Sequence, residues 1–223
     1  LALTKVTGDM LGSSVSFGLK SVQTFTSSGT WTKPAGVTKV IVEVQGAGSS
    51  GSTSSAIAQV SGGAGGGYAK KLIDVSSIST ATITVGTGGA GVVGNATRNG
   101  NAGGNSFWND GTNTVTGNGG IAPDNTADQH VIGGTATGGD INIFGGNGGS
   151  RNISNTVGNG HTGGDSFLGF GGMGAYYGNG PSSPDDGIGY GSGGGGWLWN
   201  SSYSTSTLSG AGADGIVIVT EYA

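Results

Sequence analysis

Hydrophobic and polar positions alternate in only a few stretches of this chain. Val37 to Gln45 is the clearest. Val40, Val42 and Val44 fall on one side and Lys39, Ile41, Glu43 and Gln45 on the other, the period of two that a strand requires. Ser21 to Thr26 alternates as well, and Gly29 with Pro34-Ala35-Gly36 supplies turn residues after it. Tyr68 to Val75 and Thr80 to Val85 continue the β character. The run Ile216-Val217-Ile218-Val219 is apolar on both faces, which predicts a central strand over 215–220. Residues 1–20 are different: Leu1, Leu3, Val6, Met10, Leu11, Val15, Phe17 and Leu19 recur irregularly, with Gly8 and Gly12 against a long helix. This leader cannot bury its apolar side chains on itself, so it is expected at an interface with other copies or with an upstream part. A start at Leu1 and the lack of a signal-peptide pattern point to a fragment of something longer.

Composition changes the picture between these strands. Of 223 residues, 53 are Gly, about a quarter against an average of about 7 %. The glycines come in packets, including Gly62 to Gly67, Gly86 to Gly91, Gly100 to Gly104, Gly117 to Gly120, Gly145 to Gly149, Gly169 to Gly174 and Gly193 to Gly196. Collagen is excluded, because Gly does not fall at every third position and Pro numbers only 4. With no Cys, disulfides, thiolate metal sites and cysteine catalysis are excluded too. The longest apolar runs are far short of the roughly 20 residues of a membrane-spanning helix. Disorder fits poorly with a net charge of only −4 and with 4 Trp, 6 Tyr and 6 Phe.

A packet of glycine can be buried only backbone against backbone. Polyproline-II helices suit this, having three residues per turn and no internal hydrogen bonds. Their N–H and C=O groups then bond to neighbouring helices. The expected fold is mainly β and irregular with almost no α-helix. It comprises a leader over 1–20 and a glycine-rich domain over 21–223, with strands in 21–45, 68–85 and 215–220. Glycine helices over 46–214 would pack side by side, with polar loops gathered at both ends. The competing reading is loose glycine loops around a small sheet. One motif repeats, Gly103-Gly104-Asn105-Ser106-Phe107 returning as Gly163-Gly164-Asp165-Ser166-Phe167.

Candidate chemistry is sparse. Nearly all acids of the glycine region are Asp beside turn residues. Asp185-Asp186, between Pro184 and Gly187, reads as a solvated turn or a ligand-binding or cation site. His130 and His161 sit apart in polar loops, with no helical pairing for a metal. No serine has a strand–nucleophile–helix setting, and Gly-x-Gly spacings mean nothing in this background. We expect no catalytic residues, no metal and no cofactor. Of 8 Lys and Arg, only Arg98 and Arg151 lie beyond Lys71, so nucleic acid is not an expected partner. The alternating Thr112 to Thr116 raises ice binding as a remote alternative.

Aromatics carry more information. Phe25, Trp31 and Tyr68 are expected in the core, and Phe107 and Phe167 as structural plugs. Trp108, Tyr176, Tyr177, Tyr190, Trp197, Trp199 and Tyr203 fall in or next to loops. Such rings supply large rigid contact area with a polar handle. With Asp185 and Asp186 they are the binding candidates, the alternative being that some cap the glycine layers.

Thr24 to Pro34, then Val40-Ile41-Val42-Glu43-Val44 and Gly46-Ala47-Gly48, resemble the opening of a glycine-rich domain common in phage tail fibres. Gly65 to Lys70, Ile83 to Gly86, Gly103 to Phe107 and Gly215 to Val219 continue the resemblance over about residues 21 to 223. It implies the distal receptor-binding tip of a tail fibre on the virion, usually a homotrimer, joined to the rest of the fibre and without membrane insertion. Host attachment would use connecting loops to bind a bacterial surface glycan or outer-membrane protein. A capsule or lipopolysaccharide depolymerase is the alternative, and a structural or ice-binding glycine-rich protein the second.

Overall fold

A computed structural model describes residues 18–54, 60–94, 96–124, 131–151, 160–175, 183–198 and 208–223. Among these residues there is no helix. The first strands are β1 (Leu19–Phe25), β2 (Gly29–Thr32), β3 (Lys39–Gln45), β4 (Thr53–Ser54), β5 (Val60–Ser61), β6 (Tyr68–Asp74) and β7 (Thr80–Thr84). Then come β8 (Ser106–Asn109), β9 (Thr114–Gly117), β10 (Ala136–Thr137), β11 (Ile141–Ile143) and β12 (Ser150–Arg151). The last are β13 (Leu168–Phe170), β14 (Ile188–Tyr190), β15 (Trp197–Leu198) and β16 (Ile216–Tyr222).

Two antiparallel five-stranded sheets form a sandwich, ordered β1-β16-β3-β6-β11 and β10-β9-β8-β7-β2. As its two-sided apolar pattern predicts, β16 lies inside its sheet, between β1 and β3. The alternating residues of β3 bury Val40, Val42 and Val44 completely. They meet Trp31, Ile83, Trp108 and Val115 of the other sheet in one core. Trp31 and Trp108 contact each other at the centre, ring centroids 5.0 Å apart and tilted by 51°. Glu221, fully buried on the inner face, accepts hydrogen bonds from Trp31 Nε1 (2.7 Å), Gln23 Nε2 (2.7 Å) and Ser21 Oγ.

The turn between β8 and β9 is held by Asp110, whose carboxylate accepts the N–H groups of Thr112 (2.9 Å) and Asn113 (2.7 Å) and Trp108 Nε1–H (3.1 Å). Burial pushes its pKa up, but these bonds outweigh burial and leave it below the ordinary carboxylate value. A carboxylate depressed in the fold stabilises it above the unfolded pKa, about 3.9. That contribution is lost as pH falls through the lower folded value. Thermal melts of Asp110→Asn and the parent chain are therefore expected to differ at pH 7 and to converge in strong acid.

Strands run directly into glycine segments. Segments 46–53, 86–92, 117–124, 145–149, 171–175 and 191–196 lead away from the sheets; 61–67, 100–105, 131–135, 160–165, 183–187 and 208–215 lead back. Their bonding has a period of three. Along 46–52, N–H groups donate in rotation to three returning segments: Gly46 to Gly67, Ala47 to Gly104, Gly48 to Ala213, Ser49 to Ala64, Ser50 to Asn101, Gly51 to Gly210 and Ser52 to Ser61. Its carbonyls accept from three outgoing segments, through Gly89, Gly120 and Gly194. Segment 61–66 repeats the rotation, donating to Ser52 Oγ, Gly149, Gly194, Ser49 Oγ, Gly146 and Gly191. The glycine packets thus form a hydrogen-bonded frame and not loose loops. The expectation of loops at both ends does not hold at the sheet end, where the segments pass into the sheets or into the turns around β13 and β14.

Side chains in the frame complete this pattern. Each antiparallel pair makes one N–H to C=O bond per turn, which leaves the reverse N–H seeking an acceptor. Ser49, Ser50 and Ser52 supply it: their hydroxyl oxygens accept from Ala64 (2.7 Å), Asn101 (2.8 Å) and Ser61 (2.9 Å). Buried Gln45 joins sheet to frame, its Nε2 donating to the carbonyls of Gly46, Gly66 and Gly67. Asn105 and Asp165, equivalent residues of the repeated motif, accept the N–H of Gly119 (2.9 Å) and Gly171 (2.8 Å). The repeat is therefore a device for receiving the next outgoing segment.

Candidate binding surface

The outgoing and returning segments are tied together at the end of the frame remote from the sheets. β4 pairs with β15, β5 with β12, Thr53 with Arg98, and Val93 with Leu208. Thr53 and Arg98 exchange both backbone bonds, at 3.1 and 2.9 Å. Gly160 donates to Ala175 (2.7 Å), and Ser209 to Val92 (2.9 Å). The connections 55–59, 93–98, 152–159 and 199–207 start and finish on these posts, 176–182 starts on one at Ala175, and 125–130 is flanked by Pro123, bonded to Gly100 N–H, and Val131, bridged to Gly148. At the opposite pole, Ala223 N–H bonds to Gly18 C=O (3.2 Å), so β1 begins beside the last residue of β16.

The nine candidates do not converge on one site. Trp108 is a correction: it lies on β8 and is fully buried against Trp31, because a strand alternation brings it inward, so it has no face to offer a ligand. Tyr190 ends β14, paired with Leu168 at the sheet end of the frame, away from the remote posts. Asp186 spends its carboxylate on Ala211 N–H (2.7 Å), a structural role. Asp185 has its backbone in the frame, bonded to Met173 and Gly195, and its residue surface exposed.

Trp197 is at the remote end, on the β15 post, but only 5 % exposed. Its ring packs so closely on Gly94 that a Cβ there would lie 1.4 Å from Cζ3. It caps the frame, as the alternative reading of the loop aromatics held. Tyr176, Tyr177, Trp199 and Tyr203 lie outside the described residues. They belong to the connections 176–182 and 199–207, both anchored at the remote posts.

Other expectations divide similarly. Trp31 and Tyr68 are buried and Phe25 packs on the core. Phe167 is no plug: it is 56 % exposed and lies on Tyr68, with ring centroids 4.2 Å apart. Tyr68 donates to Glu43, and burial together with that carboxylate raises the phenol's pKa above its ordinary range. Phe107 is half-buried on the outer face of its sheet. Of the threonine series, Thr112 sits in the Asp110 turn, whereas Thr114 and Thr116 are on β9. No cluster of three or more His, Cys, Asp or Glu suited to a metal occurs among the described residues.

Comparison with known families fits this architecture. The family profile described as a glycine-rich domain matches residues 22–222. The chain belongs to that family. No individual curated protein matches it. The glycine-rich domain boundary at 22 coincides with β1, so the match takes in both sheets and the whole frame. Sequence reading missed the buried residues that build this domain, Gln45, Ser49, Ser50 and Ser52. Their signal was available in Ser49-Ser50-Gly51-Ser52, small hydroxyls spaced among glycines without a charge.

Proposed function

We propose that this glycine-rich domain is the tip of a phage tail fibre, binding a host-cell surface glycan or outer-membrane protein through the connections at its remote end. The polarity of the chain carries this reading. Every connection between outgoing and returning segments is anchored at one pole, while β1 and β16 meet their terminal neighbours at the other. Binding residues are disproportionately found on loops positioned by a rigid scaffold. The frame suits such a scaffold, because most of its hydrogen bonds run from backbone to backbone and its side-chain bonds come mainly from short Ser, Asn and Asp. Polyproline-II geometry is part of the proposal, supported by the three-residue rotation of N–H partners.

In this reading the domain is distal on the virion, joined to the rest of the fibre at its sheet pole, and homotrimeric. Copies held together convert weak single-site affinity into avidity. Tyr176, Tyr177, Trp199 and Tyr203 are the proposed contacts. The reaction-free reading rests on acids spent on the frame: Asp165, Asp186 and Asp214 each accept a backbone N–H of a neighbouring segment.

The test is binding of purified chain to whole host cells. Tyr177→Ala or Trp199→Ala is expected to weaken binding about tenfold or more, the scale of an aromatic hot spot. Tyr190→Ala, at the other pole, is expected to bind as the parent does. Equal loss in all three variants would overturn the assignment to the remote end. Release of reducing ends or unsaturated sugars from host polysaccharide would establish the depolymerase alternative instead.

A further inference from the structure

The chain is rich in one reactive dipeptide. Glycine follows asparagine at Asn99, Asn118, Asn147, Asn159 and Asn179, and follows aspartate at Asp110, Asp186 and Asp214. In such pairs the glycine amide nitrogen can attack Cγ of the preceding side chain, because glycine places no Cβ in the way. With asparagine, an N–Cγ bond forms, the Cγ–Nδ2 bond breaks, and ammonia leaves carrying the amide proton. Aspartate reacts likewise with loss of water. Water then opens the cyclic imide at either carbonyl, giving aspartate or isoaspartate. Isoaspartate adds a methylene to the main chain, which would throw a segment out of its three-residue rotation of partners.

The fold occupies this nitrogen at every such site whose glycine is described. Gly100 donates to Pro123 (3.1 Å), Gly148 to Val131 (2.9 Å), Gly160 to Ala175 (2.7 Å), Gly187 to Ala211 (2.9 Å) and Gly215 to Gly86 (2.9 Å). Gly111 donates to Asn109 Oδ1 (2.8 Å) and Gly119 to Asn105 Oδ1 (2.9 Å). Asn179-Gly180 lies outside the described residues. Side chains open to attack are held as well. Asn147 Oδ1 accepts Gly133 N–H (3.0 Å), and Asp214 Oδ1 accepts Gly88 N–H (2.7 Å).

At Asn118 both reacting groups are fixed. Its Nδ2 donates to Thr135 Oγ1 (2.8 Å), its backbone N–H to Thr135 (2.8 Å), and its carbonyl accepts from Gly67 (2.9 Å). Gly119 packs so closely on Gly103 that a Cβ would lie 2.0 Å from that carbonyl oxygen. The peptide therefore has little room to turn toward Asn118 Cγ.

We infer that the frame is also a chemical guard: the acceptor supplied by Asn105 keeps Asn118-Gly119 from cyclising, and Asn118 becomes a deamidation site once that acceptor is lost. The asparagine of the repeated motif thus does more than receive a segment. Nothing in this depends on what the remote end binds.

The test is peptide mapping by mass spectrometry after incubation of the full chain in mildly alkaline buffer, folded or in denaturant that unfolds it. Deamidation at Asn118 is expected to be at least about tenfold slower in the folded chain, the factor supplied by an opening free energy of about 1.4 kcal/mol. Asn105 is exposed, so Asn105→Ala leaves no buried cavity and admits water to Gly119 N–H. That variant is expected to deamidate severalfold faster at Asn118 and at the parent's rate at Asn147. Asn105→Asp keeps the acceptor, as Asp165 does for Gly171, and should protect as the parent does. Equal rates at Asn118 in the folded and unfolded parent would overturn the proposal. So would Asn105→Ala with an unchanged rate at Asn118 or an equal rise at Asn147, or an aspartate variant no better protected than the alanine one.

Discussion

Gly63→Ala is expected to destabilise the folded chain by about 3–5 kcal/mol, as severe overpacking combined with lost buried hydrogen bonds does. A Cβ at this position would lie 2.0 Å from the carbonyl oxygen of Ser49 and 2.6 Å from its carbon. The obstruction is backbone, so no rotamer change relieves it. Gly63 also donates to Gly194 (2.8 Å) and accepts from Gly164 (2.7 Å). Moving it away from Ser49 therefore pulls on two other segments. For a domain of this size the expected fall in Tm is roughly 10 °C. Gly29→Ala is the comparison. Nothing lies within 4 Å of a Cβ there and φ is not positive, so stability should stay within about 1 kcal/mol of the parent. Thermal denaturation of the pair decides the matter. Similar Tm values would mean that glycine is not required for contact in the frame.

Glu221→Ala is expected to cost about 3 kcal/mol or more, the range for breaking a fully buried charged network. Three donors converge on this carboxylate, and Trp31, like Glu221, is completely buried. Truncation leaves Trp31 Nε1–H without its acceptor inside the core. It also loosens β1, because Ser21 and Gln23 are held to β16 through the same group. Glu221→Gln retains one acceptor oxygen but turns an NH₂ toward a donor, and should fall between alanine and the parent. Denaturant titration monitored by tryptophan fluorescence reads the order directly. A glutamine variant as stable as the parent would show that the charge is dispensable.

Strands β1 and β3 were legible because their side chains obey a two-residue period, and β16 because its run is apolar on both faces. The central position of β16 and the buried valines of β3 follow from that alone, whereas the short strands β8 to β15 among the glycine packets do not. The frame was legible in kind, as packets needing partners, but its pairing was not. Glycine has no side chain to distinguish one neighbour from another, so nothing in Gly62-Gly63 shows that the first bonds to Gly149 and the second to Gly194. Trp108 was misjudged for a related reason. Short β8 follows directly on Asn105 at the end of a glycine segment, and four residues carry too little alternation to reveal the inward face. Asp186 looked available because a turn setting hides which N–H the carboxylate will meet.

A frame closed by peptide groups instead of hydrocarbon has a thermodynamic consequence. Heat capacity rises on unfolding where apolar surface is exposed and falls where polar surface is exposed. In segments such as 46–53 and 61–67, unfolding hydrates mostly amide N–H and C=O groups, with few methyls among them. Their contribution to ΔCp is small, or opposite in sign to that of the valine and tryptophan core. The free energy of this chain therefore bends less with temperature than that of a domain of equal length with an ordinary hydrophobic interior, and cold weakens it less.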